Sequence, residues 1–200
     1  MKTIKEITEA LKASTQIEPW MDQIAQDERA GVMKVWTQFQ KRLEKVEVLQ
    51  KAHDEKLQFD AGYLPYEDAY IAGTDEAGRG PLAGPVVTAA VILPNYCQEL
   101  LGVNDSKLLS KEKRKEYAER IKKHALYYAV HFQSVEEIDR LNIYEATRQS
   151  MLKSIEALEA TPHFILADAM TLSVTIPQAS IIKGDARSLA IAAASILAKR

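Results

Sequence analysis

Apolar residues recur three and four apart at Ile4, Ile7 and Leu11, again at Val32, Val35, Trp36 and Phe39, and again at Leu43, Val46 and Leu49. Each set marks one face of a helix. Pro19 and Gly31 punctuate the pattern, and the later sets merge into one long helix over about residues 31–57. Its other faces carry Lys41, Arg42, Glu44, Lys45, Glu47 and Lys51. A surface of mixed sign reads as solvated helix, with an auxiliary nucleic-acid or partner surface as the other reading. Pro65 drives the residue before it out of helical geometry, so 62–67 reads as a linker. Residues 1–65 are thus expected to form a small all-helical extension, and residues 66–200 a second domain.

From residue 69 the period changes. An apolar run beginning at Ile71 and the valine- and alanine-rich run 86–93 predict two strands paired across a glycine-rich turn. Ser110 can cap a charged helix, and 126–132 is a third strand candidate. Ser134 with Glu137, and Asn142 with Glu145, stand at capping-box spacing. They predict a short helix, then a longer one to about residue 160, stopped by Thr161-Pro162. Residues 164–167 form a brief strand ending at Asp168, 178–182 another, and 186–199 a final alanine-rich helix. Strands alternating with helices imply an α/β domain, and the early strand-turn-strand implies a mixed sheet flanked by helices.

An apolar share of 46% over 200 residues supports a buried core. With 26 basic against 28 acidic side chains the net charge is -2, so a polyanion would have to be held locally rather than by bulk attraction. Cys97 is the single cysteine, which excludes an intrachain disulfide and fits a reducing compartment. No apolar run reaches the ~18 residues of a membrane span, and the start lacks a signal-peptide core. The expectation is a cytoplasmic protein that does not engage membranes. The four histidines show no metal-ligand spacing.

The chemistry concentrates in Ile71-Ala-Gly-Thr-Asp75-Glu76-Ala-Gly78-Arg79-Gly80-Pro-Leu-Ala-Gly84-Pro85. Two carboxylates at a strand end, followed by bare backbone, suit a hard divalent cation beside a phosphate-bearing ligand. Asp168 offers a third carboxylate at a strand end and Asp185 a fourth. Taken singly, the acid pair reads equally as a turn and Asp185 as a helix N-cap. Glycines at 78 and 80 let backbone approach a sugar or phosphate closely. Asn104, Ser106, Lys107 and Lys183 are candidates for nucleic-acid backbone contacts, while Asp105 reads as either a turn or a metal neighbour. The glycines do not fit the dinucleotide fingerprint: Gly78-x-Gly80-x-x-x-Gly84 is one residue too long and Pro81 disturbs a helix start.

Asp-Glu-Ala-Gly-Arg-Gly-Pro-Leu-Ala-Gly-Pro-Val, read with Asp168 and Asp185 in order, resembles the signature of type 2 ribonuclease H, the bacterial ribonuclease HII family. The helical extension resembles that of the Firmicutes members. The resemblance implies a ribonuclease H-like fold. It implies Asp75, Glu76, Asp168 and Asp185 as catalytic ligands of Mn²⁺ or Mg²⁺, and Gly78, Arg79 and Gly80 as the sensor of the ribonucleotide. It further implies two-metal hydrolysis of RNA-DNA hybrids and nicking 5' to single ribonucleotides in duplex DNA, by a monomer, with a replication clamp as a candidate partner. Roles in ribonucleotide removal and primer processing follow. Arg187, Ser188 and Ser195 also resemble family positions, although helix packing explains them equally well. The family pattern continues past Arg200 into a C-terminal helical part carrying a sugar-stacking tyrosine. A chain ending there is expected to bind or cleave more weakly, and a non-catalytic hybrid-binding protein is the alternative.

Overall fold

The computed structural model describes residues 2–80 and 84–199; Pro81, Leu82 and Ala83 of the glycine-rich stretch lie outside them. The chain divides into two compact units, Met1–Lys51 and Ala52–Arg200.

In the first unit, α1 (Ile4–Ala13) starts with a capping box in which Thr3 and Glu6 satisfy each other's backbone N–H groups. A 3₁₀ turn at Pro19–Met21 and the short α2 (Asp22–Ala25) lead to α3, which runs Ala30–Ala61, longer at both ends than the periodicity predicts. Ile7, Leu11, Met21, Ile24, Val32 and Phe39 are buried together. The Arg42 guanidinium donates to the carbonyls of Leu11, Lys12 and Ser14, satisfying the open end of α1. Arg42, which reads in the sequence as solvated surface, is therefore a C-terminal clamp.

The second unit is a five-stranded mixed sheet in the order β3-β2-β1-β4-β5. Strands β1 (Ile71–Ala77), β2 (Val86–Ile92) and β3 (Tyr127–Gln133) form an antiparallel meander. β4 (Phe164–Asp168) and β5 (Gln178–Ile181) run parallel to β1. Gln178 pins the short connection between β4 and β5 by accepting from the Leu172 N–H and donating to its carbonyl.

Helices cover both faces. α6 (Ile143–Glu156) places Met151 and Ile155 against Ala90, Ile92 and Ile165. On the other face α8 (Leu189–Ala198) packs with α4 (Lys111–His124) over Ala89 and Val91. α4, α5 (Val135–Leu141) and α6 start at the caps Ser110, Ser134 and Asn142 read from the sequence.

Two further helix boundaries differ from the expectation. α6 ends at Glu156 rather than near 160, because the chain tightens through a Leu158 N–H to Ile155 carbonyl bond and turns Leu158 into the core. The final helix is two pieces, α7 (Gly184–Arg187) and α8, separated by extended Ser188. The Ser188 hydroxyl accepts from the Ile191 N–H, capping α8 and breaking what composition alone presents as one run.

α8 lies unusually close to β1. A β-carbon at Gly73 would fall 2.2 Å from the Ala190 carbonyl carbon and 2.4 Å from the Ile191 nitrogen, so only glycine admits this approach. Among the described residues no helix is long and apolar enough to cross a membrane.

Candidate active site

β1 and β4 are neighbouring parallel strands with Thr74 opposite Ala167. The next residues, Asp75 and Asp168, therefore stand side by side on one face, about 5 Å apart along the strand-to-strand direction. The Asp75 carboxylate is buried and accepts from the Glu76 N–H at 2.7 Å. Burial and then the Glu76 charge push Asp75 well above the usual carboxylate range, with Asp168 adding to the rise and a hydrogen bond from Ser195 opposing it. Burial likewise raises Asp168, as do the charges of Glu76 and Asp105; the Gly184 N–H, 2.7 Å from Asp168 Oδ1, and the Lys107 charge oppose it.

Asp185 comes from the corner after β5. It sits within α7 rather than at its N-cap, which is Lys183 in left-handed geometry (φ 54°). That conformation costs a non-glycine residue roughly 1–2 kcal/mol. It also turns the chain so that the next residue, Gly184, bonds Asp168. Asp185 is raised first by burial, then by Asp105 and Asp168, with Lys107 opposing. Asp75, Glu76, Asp105, Asp168 and Asp185 thus form a connected chain of mutually repelling carboxylates.

Their negative charge is poorly compensated. None of the ion pairs among the described residues involves Asp75, Asp168 or Asp185. Glu76 Oε2 is buried with no hydrogen-bond partner. No three His, Cys, Asp or Glu side chains among the described residues stand in a ready metal-binding arrangement. The donor set is nevertheless all oxygen, with a spare buried lone pair on Glu76, which is the chemistry a hard divalent cation takes.

The glycine hook adjoins the acid pair. Arg79 pairs with Glu76 Oε1 at 3.2 Å. Gly78 has φ 97°, and a β-carbon there would strike the Pro85 carbonyl oxygen at 2.4 Å. Gly80 has open space around it among the described residues. Lys107 and Lys183 are exposed. Asn104 and Ser106 turn inward instead: Asn104 Oδ1 accepts from Lys56 Nζ and the Asp105 N–H. Buried Ser106 shares a 2.7 Å hydrogen bond with Ser195 and accepts from Lys199 at 2.6 Å. Their side chains brace the loop, and Lys107 is the side chain it offers outward. Asp105 caps the turn through the Lys107 N–H at 2.8 Å and also adjoins Asp185.

Ser195 links this brace to Asp75. Sequence reasoning missed Lys56 and Asp60, the second of which lies past the expected end of the long helix at about residue 57. The available signal was a stripe: His53, Lys56, Leu57 and Asp60 share one helix face.

The solved structures similar to this fold include ribonuclease H2 from Pyrococcus horikoshii, with a TM-score of 0.59 and 28% identity over 65% of this chain and 70% of that one. Ribonuclease HII from Archaeoglobus fulgidus, solved in a complex with PCNA, gives 0.55 and 31% over 65% and 71%. The fold is therefore ribonuclease H-like. The family pattern described as Ribonuclease HII matches residues 72–200, and that described as Ribonuclease HII N-terminal domain matches residues 3–64. Ribonuclease HII of Bacillus licheniformis is 45% identical over 198 residues, spanning 98% of this chain and 77% of that protein. The chain belongs to the ribonuclease HII family and is a ribonuclease H.

Proposed function

We propose that the chain is an endonuclease that cleaves the RNA strand of RNA-DNA hybrids and nicks duplex DNA 5' to an embedded ribonucleotide. The observation that carries this reading is the poorly compensated carboxylate cluster beside the Gly78-Arg79-Gly80 hook. Asp75, Glu76, Asp168 and Asp185 would hold Mn²⁺ or Mg²⁺. When bound, such a cation pair supplies an activated water and charge stabilisation at the departing oxygen, giving 5'-phosphate and 3'-hydroxyl ends. The backbone at Gly78 and Gly80 would meet the 2'-hydroxyl, which both donates and accepts hydrogen bonds and so separates RNA from DNA. Arg79, tethered by Glu76, couples that recognition to the acid pair. Lys107 and Lys183 would position the duplex through phosphates without reading sequence.

Residues 1–65 would act as a helical extension to the catalytic domain of residues 66–200, and the protein would work as a monomer. The PCNA complex of the A. fulgidus relative supports a clamp as a candidate partner.

The test is cleavage of a duplex carrying one ribonucleotide, with Mn²⁺ or Mg²⁺ and with chelator. Cleavage should need the cation, and Asp75→Asn should abolish it while duplex binding persists. Nicking that survives either chelation or the substitution would overturn the scheme. Binding of the hybrid without cleavage under any metal condition would identify a non-catalytic binder.

A further inference from the structure

Lys56 lies near the end of α3 and is only 4% exposed. Its ammonium group has three donors, and the structure provides three acceptors from two distant segments. They are Asn104 Oδ1 at 2.8 Å, the Asp185 carbonyl at 3.2 Å and the Val103 carbonyl at 3.4 Å. One turn further along α3, Asp60 accepts from the Ala190 N–H at 3.0 Å, and Phe59 carries the Arg187 guanidinium 4.7 Å from its ring centre. Residues 52–61 of α3 therefore grip the α7–α8 corner at three points, Asp185, Arg187 and Ala190.

Stability does not explain the lysine. Taking an ammonium group out of water is costly, and an apolar side chain of similar volume usually serves a buried position as well or better. What the ammonium does, and a methyl group cannot, is fix two backbone segments against each other. One segment carries Asn104, Asp105 and Lys107, and the other carries Asp185.

We propose that Lys56 is a positioning residue for the catalytic centre, holding the 103–107 loop and the turn that bears Asp185 in register with each other. This rests on the reading of Asp185 as a cation ligand. A consequence concerns where the functional catalytic unit begins. The sequence pattern of the N-terminal domain runs to residue 64, but the catalytic centre needs α3 from about Ala52 onward, in keeping with the compact unit Ala52–Arg200.

The experiment compares full-length wild type, Lys56→Met, Lys56→Arg and Asp185→Asn. Three quantities are measured: amide hydrogen exchange of 103–108 and 183–188 without metal, Mn²⁺ affinity by calorimetry, and the separate kcat and KM for nicking. Lys56→Met should speed exchange in both segments and weaken Mn²⁺ binding by about 10–100-fold, the usual effect of losing a partner behind a metal ligand. Its kcat should fall with KM for duplex little changed, and Lys56→Arg should recover most of the loss. Wild-type exchange and Mn²⁺ affinity in Lys56→Met would overturn the proposal, as would a lowered unfolding midpoint with both unchanged. If Lys56→Met does not fold, Lys56→Gln, which keeps a shorter donor, is held to the same criteria. Wild-type Mn²⁺ binding in Asp185→Asn would instead overturn Asp185 as a ligand, so the two failures are distinguishable.

Discussion

Replacing Gly73 by alanine tests the contact on which the site geometry depends. The new β-carbon would lie 2.2 Å from the Ala190 carbonyl carbon, 2.4 Å from the Ile191 nitrogen and 2.6 Å from the Ala190 β-carbon. Carbon atoms rest comfortably at about 3.5 Å or more, so β1 and α8 must part by roughly 1 Å. Two of the three obstructing atoms are backbone, which leaves no rotamer to relieve them. Overpacking of this kind costs about 1–3 kcal/mol. For a chain of this size that lowers the unfolding midpoint by about 2–12 °C. Asp75 lies two residues along the same face of β1, and its hydrogen-bond partner Ser195 rides on α8. The separation therefore falls on the acid cluster as well, and a displacement near 1 Å at a reacting centre lowers activity on the order of 100-fold. Calorimetric unfolding and nicking kinetics measure the two effects. Adding Ala190→Gly should recover little, because it removes only the 2.6 Å contact. A Gly73→Ala protein with wild-type midpoint and rate would refute the close-packing argument.

Burial raises Asp60 from 3.8 to about 6, with hydrogen bonds from Ser188, Ala190 and Leu189 opposing the rise. Because the folded state then holds the proton more tightly than the unfolded one, the contribution of Asp60 to stability is fully present below about 4. It is lost as pH rises to about 6, by about 3 kcal/mol. The unfolding midpoint of wild type should therefore fall relative to that of Asp60→Asn over this interval, and parallel pH curves for the two proteins would contradict the assignment. Lys183→Gly should release left-handed strain and raise stability by up to about 1 kcal/mol, partly offset by greater freedom of the unfolded chain. The same change should weaken duplex binding through the lost ammonium group, so a stability gain without a rise in KM would remove Lys183 from the phosphate-contacting set.

Local pattern was enough for the long helix and the caps at Ser110, Ser134 and Asn142, because these depend on neighbours three or four residues away; the antiparallel entry into the sheet was legible because its two apolar runs are joined by one glycine-rich turn. It failed at Ser188, where one hydroxyl bonded to the Ile191 N–H divides an otherwise uniform alanine-rich run. Nor does the local pattern contain the partners of Asn104 and Ser106, whose side chains bond Lys56, Ser195 and Lys199.

The candidate acids were legible as residue types at strand ends, and their order carried the resemblance to a nuclease family. Their environment was not. Whether Asp75 is raised or lowered depends on Glu76 beside it, on Asp168 from the adjacent strand and on Ser195 far along the chain. Those neighbours are chosen by strand order and by how closely α8 can approach Gly73, and a local pattern of apolar and polar positions contains neither. The amino-acid order thus determined which groups could do the chemistry, since functional groups and short-range caps are written residue by residue. Only the folded chain decided which of them share one low-dielectric corner, because burial and charge repulsion act through space between segments that are remote along the backbone.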